Sequence, residues 1–290
     1  MWREYLFARS VEDALELLAA HGGQAQVIAG GTDLYLQSQR GECLATTMID
    51  ITRIPGLDTI EERDGYVVVG AQVTHVRIAS SPLIRERAPV LALACSAVGG
   101  PQTRNAGTLV GNVINAQPAA DGAVGLFTLD AELEVASPAG RRWEPISAIY
   151  RGVGACTIDA CRELVTAVRF RPLGAGWGCG YQRLARRRAL TLPTLVVAAA
   201  LRVEGGVIGE ARIAVGPVAP MPFRAVDAEA FLSGAKPVPE VFAHAGELAA
   251  ARAQPRDSAI RGSREYRTAM AAVLVRRALE QALAGCGAPA

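Results

Sequence analysis

The apolar positions change period along the chain, and each change predicts an element. Val11, Ala14, Leu15 and Leu18 recur at helical spacing behind Ser10, with Asp13 three residues on. A serine N-cap accepts from the first free N–H groups and a carboxylate at N3 reaches back, so this reads as a capped helix. Gly22-Gly23 ends it, since glycine readily takes the left-handed conformation that closes a helix. Residues 26–29 and 46–51 are short strand-like runs, and Pro55-Gly56 is a turn. The first 55 residues therefore read as a small α/β unit, on ordinary element lengths.

A second unit follows. Residues 65–71 (GYVVVGA) read as a buried strand, Thr74 as the cap of a short helix containing His75, and residues 88–98 as an apolar helix entering Gly99-Gly100. After a long small-residue loop, a helix is predicted near Ala119, then strands at 133–136 and 163–171. Residues 174–180 (GAGWGCG) read as a linker and boundary on their glycine density. Beyond lie a strongly basic run at 181–188, an apolar run at 194–203 and a strand at 211–218 ending in a proline turn. Two helices close the chain, 225–232 and 261–284, the second with Tyr266, Met270, Val273, Leu274 and Leu279 at helical spacing. Residues 254–264 read as a polar connector.

Composition narrows the class. At 290 residues and half hydrophobic, the chain suits two domains with a large core. A formal charge of +2 and 5% aromatics argue against a nucleic-acid platform, which needs basic stripes with interleaved aromatics. The N-terminus lacks the pattern of a signal peptide. No apolar run approaches the roughly 18 residues of a membrane span. A cytoplasmic protein is expected. The six cysteines form no C-x-x-C pair and read as idle thiols in a reducing compartment, not as a metal or iron–sulfur site.

Two loops carry the candidate chemistry. Residues 27–36, VIAGGTDLYL, run from an apolar strand through two glycines into a short helix pattern. Residues 104–121, RNAGTLVGNVINAQPAAD, gather Gly107, Thr108, Gly111, Asn112, Asn115 and Asp121 in one small-residue loop. Small residues let a backbone approach a ligand and turn its N–H groups inward. Asn and Thr add fixed donors, and Asp121 supplies an acceptor. That inventory suits the pyrophosphate, ribose and ring edges of a dinucleotide, although a single Gly-Gly turn also occurs as a plain tight turn.

Competing motifs fail. The run at 174–180 has Cys179 where a G-x-G-x-x-G fingerprint needs its third glycine. No G-x-x-x-x-G-K-[ST] loop and no G-x-S-x-G turn occur. His21, His75 and His244 lack metal spacing, and His75 reads as a packing or hydrogen-bonding residue at a helix start. No carboxylate pair stands in an acid/base arrangement. Chemistry is expected from a bound cofactor.

The two loops, in this order and about 75 residues apart, resemble those of the FAD-binding medium subunit of the molybdenum hydroxylase family (xanthine dehydrogenase and carbon monoxide dehydrogenase). Its members carry AGGT-D/S-L and RN-x-GT-hydrophobic-GGN-x-x-N-A-x-PAAD. Residues 215–225 (VGPVAPMPFRA) and 266–279 (YRTAMAAVLVRRAL) resemble the family's C-terminal domain. The resemblance implies an α+β fold. A two-part FAD-binding domain of PCMH type would span residues 1–173, divided into 1–55 and 56–173. A smaller α/β domain of the CO dehydrogenase flavoprotein C-terminal type would span 174–290. It also implies FAD on this chain. Ile28, Ala29, Gly30, Gly31, Thr32, Asp33 and Leu34 would wrap the pyrophosphate, and Thr108, Gly111, Asn112 and Asn115 would line a second wall. Asp121 would accept from a ribose or ribityl hydroxyl, with Val98 and Leu164 near the isoalloxazine ring. The implied role is an oxidoreductase subunit. It would take electrons from [2Fe–2S] clusters of a small partner and pass them from FAD to an external acceptor. Molybdopterin would reside on a large partner, in a dimer of heterotrimers.

The chain departs from the family pattern in places. Val110-Gly111 precedes Asn112 where the family has Gly-Gly, so one close-approach glycine is lost. Thr191, followed by Pro193, stands where an acidic residue is common, and Thr194 where xanthine dehydrogenases place a lysine close to the flavin. NAD is therefore not assigned as acceptor. No cysteine occurs between Cys95 and Cys156, so the iron–sulfur insertion of the hydroxybenzoyl-CoA reductase branch is absent. Two alternatives stay open on the residues: a stand-alone FAD oxidoreductase, and a non-catalytic assembly subunit that has lost flavin. The basic run at 183–188 reads as solvated surface, or as a contact to reduced flavin or a partner.

Overall fold

The computed structural model describes residues 2–287. The chain opens with three parallel strands and two crossover helices. These are β1 (Glu4–Phe7), α1 (Val11–Ala20), β2 (Ala25–Ile28), α2 (Leu34–Gln39) and β3 (Thr47–Asp50), with sheet order β1-β3-β2. In α1 the Ser10 hydroxyl accepts from the Asp13 N–H at 3.0 Å, the Asp13 carboxylate accepts from the Arg9 N–H, and the four patterned apolar residues are buried. Strand β1 is missing from the sequence reading because EYLF is a largely exposed edge strand without clean alternation.

Next come β4 (Ile60–Arg63), β5 (Tyr66–Gly70) and a series of short helices: α3 (His75–Ser80), α4 (Pro82–Arg87), α5 (Pro89–Ser96), α6 (Pro101–Ala106), α7 (Leu109–Ile114) and α8 (Asp121–Thr128). Then follow β6 (Glu132–Ser137), β7 (Gly140–Pro145), α9 (Ile146–Ile149), β8 (Tyr150–Gly152), β9 (Ala155–Cys156) and β10 (Leu164–Phe170). The sheet β4-β5-β10-β6-β7 is antiparallel, and β8-β9 is a separate ribbon. Pro82, Pro89 and Pro101 each open a helix, where the absent N–H costs nothing. Residues 104–121 are therefore not one loop, as expected from sequence, but the end of α6, all of α7 and the start of α8. The reason is local. Thr108 caps α7 by accepting from the Gly111 N–H at 3.1 Å, and Leu109, Val110 and Val113 bury themselves. The Thr74 side chain makes no cap bond to α3; its backbone instead forms a bridge with Thr108.

The last sheet, β11 (Trp177–Leu184), β12 (Leu195–Glu204), β13 (Val207–Gly216) and β14 (Phe223–Arg224), is antiparallel and runs in chain order. Three helices pack with it: α10 (Val226–Leu232), α11 (Pro239–Ala251) and α12 (Arg264–Gly285). Period-two alternation divides β12. Leu195, Val197, Ala199 and Leu201 join the core under these helices, whereas Val196, Ala198 and Ala200 join the core of the N-terminal units. The sheet is thus a wall shared by two cores. Two expectations are corrected here. Much of the 174–180 run is not a linker but lies within β11, because Gly178 and Gly180 sit directly beneath α12. A Cβ on either would land on the carbonyl oxygen of Ala282 or Ala278. Three helices, not two, follow the sheet. The stripe Phe242, Ala245, Ala249 of α11 is mostly alanine and too faint to read by periodicity.

Candidate cofactor site

Two stretches far apart in sequence meet just beyond β2. Gly30 lies against the backbone of Ala106 and Gly107, so closely that a Cβ would fall on the Ala106 carbonyl oxygen. Gly31 takes φ +65 with the Ile28 side chain packed beneath it, a left-handed position that favours glycine. The Thr32 hydroxyl oxygen is 3.2 Å from where a Cβ on Gly107 would stand. Gln37 donates to the Asn115 Oδ1 at 3.1 Å. Desolvation raises the Asp33 pKa, against a smaller lowering by the nearby Asn115 amide. Ala29 and Leu34 flank these contacts half-buried.

The second wall is built by α7 and the start of α8. The Thr108 hydroxyl is held by Gly111, and Gly111 itself is exposed. Asn112 Oδ1 accepts from the Ala123 N–H at 3.2 Å, which leaves the amide nitrogen uncommitted. Val98 is half-buried after α5, and its carbonyl accepts from Arg104 Nη1 at 2.9 Å. Leu164 is buried in the main core on β10, a strand that α7 touches.

Asp121 is tied to the C-terminal sheet. It is 5% exposed, and its Oδ1 accepts from the Tyr181 hydroxyl at 2.6 Å and from Arg183 Nε at 2.9 Å, leaving Oδ2 free of side-chain donors. Burial raises the Asp121 pKa more than Arg183 and Tyr181 lower it. Burial, then Asp121 itself, push the Tyr181 phenol well above its ordinary value. Arg183 also donates to the Thr191 carbonyl at 2.6 Å. The basic run is therefore not uniformly solvated: Arg183 is a largely buried ion-pair partner, while Arg186, Arg187 and Arg188 are exposed. Leu190 donates its N–H to the Gly99 carbonyl and lays its side chain on Gly100, which brings this segment beside Val98. Thr194, in contrast, is buried as its N–H bonds Leu184.

Sequence reasoning missed Gln37, His75 and Tyr181 as parts of this region, and it placed Arg104 in the second loop and Arg183 in a basic run open to flavin contact without their partners. Tyr181 and Arg183 reach a partner some 60 residues away, and no local pattern announces that. His75 is 2% exposed between Gly107 and Gly122. The region is a junction in which a Cβ at Gly30 would collide and one at Gly107 would crowd Thr103 and Thr32, bordered by hydroxyl, amide and guanidinium donors. Such a donor set fits an anionic dinucleotide. Among the described residues no group of three His, Cys, Asp or Glu side chains could hold a metal. Two clefts of about 220 and 150 Å³ share Arg63, Val68 and Glu134 and include no residue of either loop.

The family described as "FAD binding domain in molybdopterin dehydrogenase" matches residues 2–172, and "CO dehydrogenase flavoprotein C-terminal domain" matches residues 181–282. The chain belongs to the FAD-binding medium subunits of the molybdenum hydroxylases. It is 31% identical to the carbon monoxide dehydrogenase medium chain of Hydrogenophaga pseudoflava, over 98% of each chain. It is 30% identical to the xanthine dehydrogenase FAD-binding subunit of Escherichia coli O157:H7, over 98% of this chain and 97% of that one. A solved structure of carbon monoxide dehydrogenase from Hydrogenophaga pseudoflava matches with a TM-score of 0.95 at 33% identity, covering 99% of both chains. The fold is the α+β fold of this family, as the resemblance implied, and the chain is an FAD-binding oxidoreductase subunit. Among the described residues no helix is long and apolar enough to cross a membrane.

Proposed function

We propose that residues 28–34 and Thr108, Gly111, Asn112 and Asn115 hold the pyrophosphate of FAD between them, and that this subunit relays electrons within a larger assembly. The meeting of Gly30 with Ala106 carries the proposal, because it brings the two sparsely substituted loops side by side, so that one ligand can touch both. Thr32 and Thr108 offer hydroxyls, and Asn112 offers the free half of its amide. Asp121 keeps Oδ2 for a ribose or ribityl hydroxyl, held in place by Tyr181 and Arg183. Val98, with Leu164 behind α7, is placed toward the ring, and the Leu190–Thr191 stretch shields the Gly99-Gly100 end from water. When bound, FAD supplies two-electron storage with one-electron exchange. The electrons would come from [2Fe–2S] clusters on a small partner subunit, with molybdopterin on a large one, in a cytoplasmic dimer of heterotrimers. Six free thiols suit that reducing compartment, and the medium-chain names of the relatives suit that assembly.

The test is the visible spectrum and released-cofactor content of the purified chain, wild type against Asn112→Leu. A single FAD per wild-type chain, lost in a variant that melts like wild type, supports the proposal. No flavin on the wild type after adding FAD overturns it and leaves the assembly role.

A further inference from the structure

His75 is the one imidazole in the junction region, and the role assigned to the two loops leaves it unused. It follows β5 and starts α3, and its backbone N–H donates to the Gly107 carbonyl at 3.0 Å. Ring position follows from its neighbours. Cδ2 is 3.6 Å from where a Cβ on Gly107 would stand, and Cε1 is 3.3 Å from the same point on Gly122. Nε2 lies between those two carbons, so the Nε2 edge faces the seam between the two glycines. The Asn112 Oδ1 reaches the same seam, 2.9 Å from the Cβ point of Gly122. Nδ1, on the other edge, is buried and has no partner among the described residues.

That asymmetry selects a tautomer. Burial, with Arg104 adding to it, pushes the His75 pKa down to about 4, so the free ring is neutral at pH 7 and carries one proton. A buried acceptor without a partner is tolerated better than a buried donor without one. The proton therefore belongs on Nε2, and Nδ1 keeps only a lone pair. An N–H donor held on a 2% exposed side chain and turned toward the seam between two glycines can donate to an anionic oxygen placed there.

We propose that His75 is a cofactor ligand, its Nε2–H donating to an anionic oxygen of the FAD pyrophosphate at the Gly107–Gly122 seam. The proposal rests on the FAD reading of the two loops. Its consequence is a proton linkage. An anion beside the ring favours the imidazolium, so binding takes up a proton as the pH falls toward the bound-state pKa, and affinity for FAD rises in acid. Of the titratable groups on the helices packed against α3 (Arg85, Glu86 and Arg87 on α4, Cys95 on α5, Arg104 on α6), Arg104 alone acts on the ring. Asp121, next to Gly122, is paired with Arg183. Asp33 on the first loop also has a raised pKa. Its share of any pH dependence would survive in His75→Gln, so the difference between the two proteins belongs to His75.

The experiment titrates the full chain with FAD by flavin fluorescence from about pH 8 to about pH 5.5, for wild type, His75→Gln and His75→Phe. Histidine ¹⁵N NMR of the wild type is recorded in parallel with FAD, ADP and riboflavin. The expected wild type has the Nε2–H tautomer, shifts its His75 signals with FAD and ADP but not with riboflavin, and binds FAD more tightly as the pH falls. His75→Phe should bind about tenfold more weakly, and His75→Gln should lose the excess pH dependence. Identical pH profiles for wild type and His75→Gln overturn the proposal, as do signals that move with riboflavin but not ADP. If His75→Phe does not fold, the wild-type signals decide: no movement with FAD bound overturns it. A wild type that binds no FAD at any pH overturns the FAD reading as well, which separates the two failures.

Discussion

Two glycine-bearing regions of this chain look alike in sequence and serve opposite ends. At Gly30 the missing side chain lets two sequence-distant backbones touch, with the hydroxyls of Thr32 and Thr108 and the amides of Asn112 and Asn115 on the two stretches that meet. At Gly178 and Gly180 the missing side chains let α12 lie on β11 and leave no space at all. Composition does not separate the cases, but spacing does. Gly178 and Gly180 alternate with Trp177, Cys179 and Tyr181, whose side chains pack against the N-terminal core on the other face. Glycine at every second position of an apolar run marks one face of a strand under a close neighbour. Adjacent glycines after a strand mark a turn toward a ligand or a second loop.

The comparison breaks most visibly at Gly180. A valine there has to push the Ala278 carbonyl, and with it α12, off the sheet, so Gly180→Val should lose roughly 3 kcal/mol or more of stability. Gly174→Ala, in the same run, meets nothing within 4 Å and should stay within about 0.5 kcal/mol of wild type. Urea melts of the two variants check both. Equal midpoints would return the whole run to a linker.

A second test asks whether the two regions are energetically joined. Strand β11 carries Tyr181 and Arg183 on the face opposite its glycines, and both reach Asp121 at the start of α8. Arg183→Met removes the guanidinium and leaves a buried carboxyl without its charge partner, a loss of about 3 kcal/mol. The sign of the pH effect follows from Asp121. Its folded-state pKa already lies above the ordinary carboxylate value because of burial, and losing Arg183 lets it rise further. A raised pKa contributes stability in full below the unfolded value, and that contribution is lost as the pH climbs through the folded one. The deficit of Arg183→Met should therefore be smaller at about pH 5 than at about pH 8. Thermal melts across that range check it, and a deficit that grows in acid contradicts the ion pair.

Much of the architecture was legible. The capped helix α1, the strands β5, β6 and β10 and the closing helix α12 were legible from caps, period and apolar runs: β5 and β10 are runs buried on both faces, and α12 buries a face through Ala271, Leu274 and Ala278 that leaves the expected Tyr266 exposed. The resemblance of the two loops led to the family. What escaped was decided by tertiary contact. Strand β1 is a four-residue edge, α11 hides its stripe in alanines, and β11 looks like a linker until α12 is placed over it. In the site, the sequence lists the donors of the loops but not His75, nor the partners of Arg104 and Arg183, because those depend on neighbours from other elements.

Val110 gives the smallest and most discriminating effect. The family pattern has glycine here, and a lost close-approach glycine would be expected to disturb the cofactor. In the fold Val110 is 3% exposed and belongs to the main core, on α7 but turned away from the junction, while the adjacent Gly111 is the exposed one. The departure is then one of packing, like Gly180, and not of ligand approach, like Gly30. Val110→Gly should cost about 2 kcal/mol, from the cavity and from glycine in a helix, while FAD affinity stays within about threefold of wild type. Melting curves and flavin titration on the same sample separate the two quantities. A variant that binds FAD much more tightly at unchanged stability would move Val110 from the core side of the comparison to the ligand side.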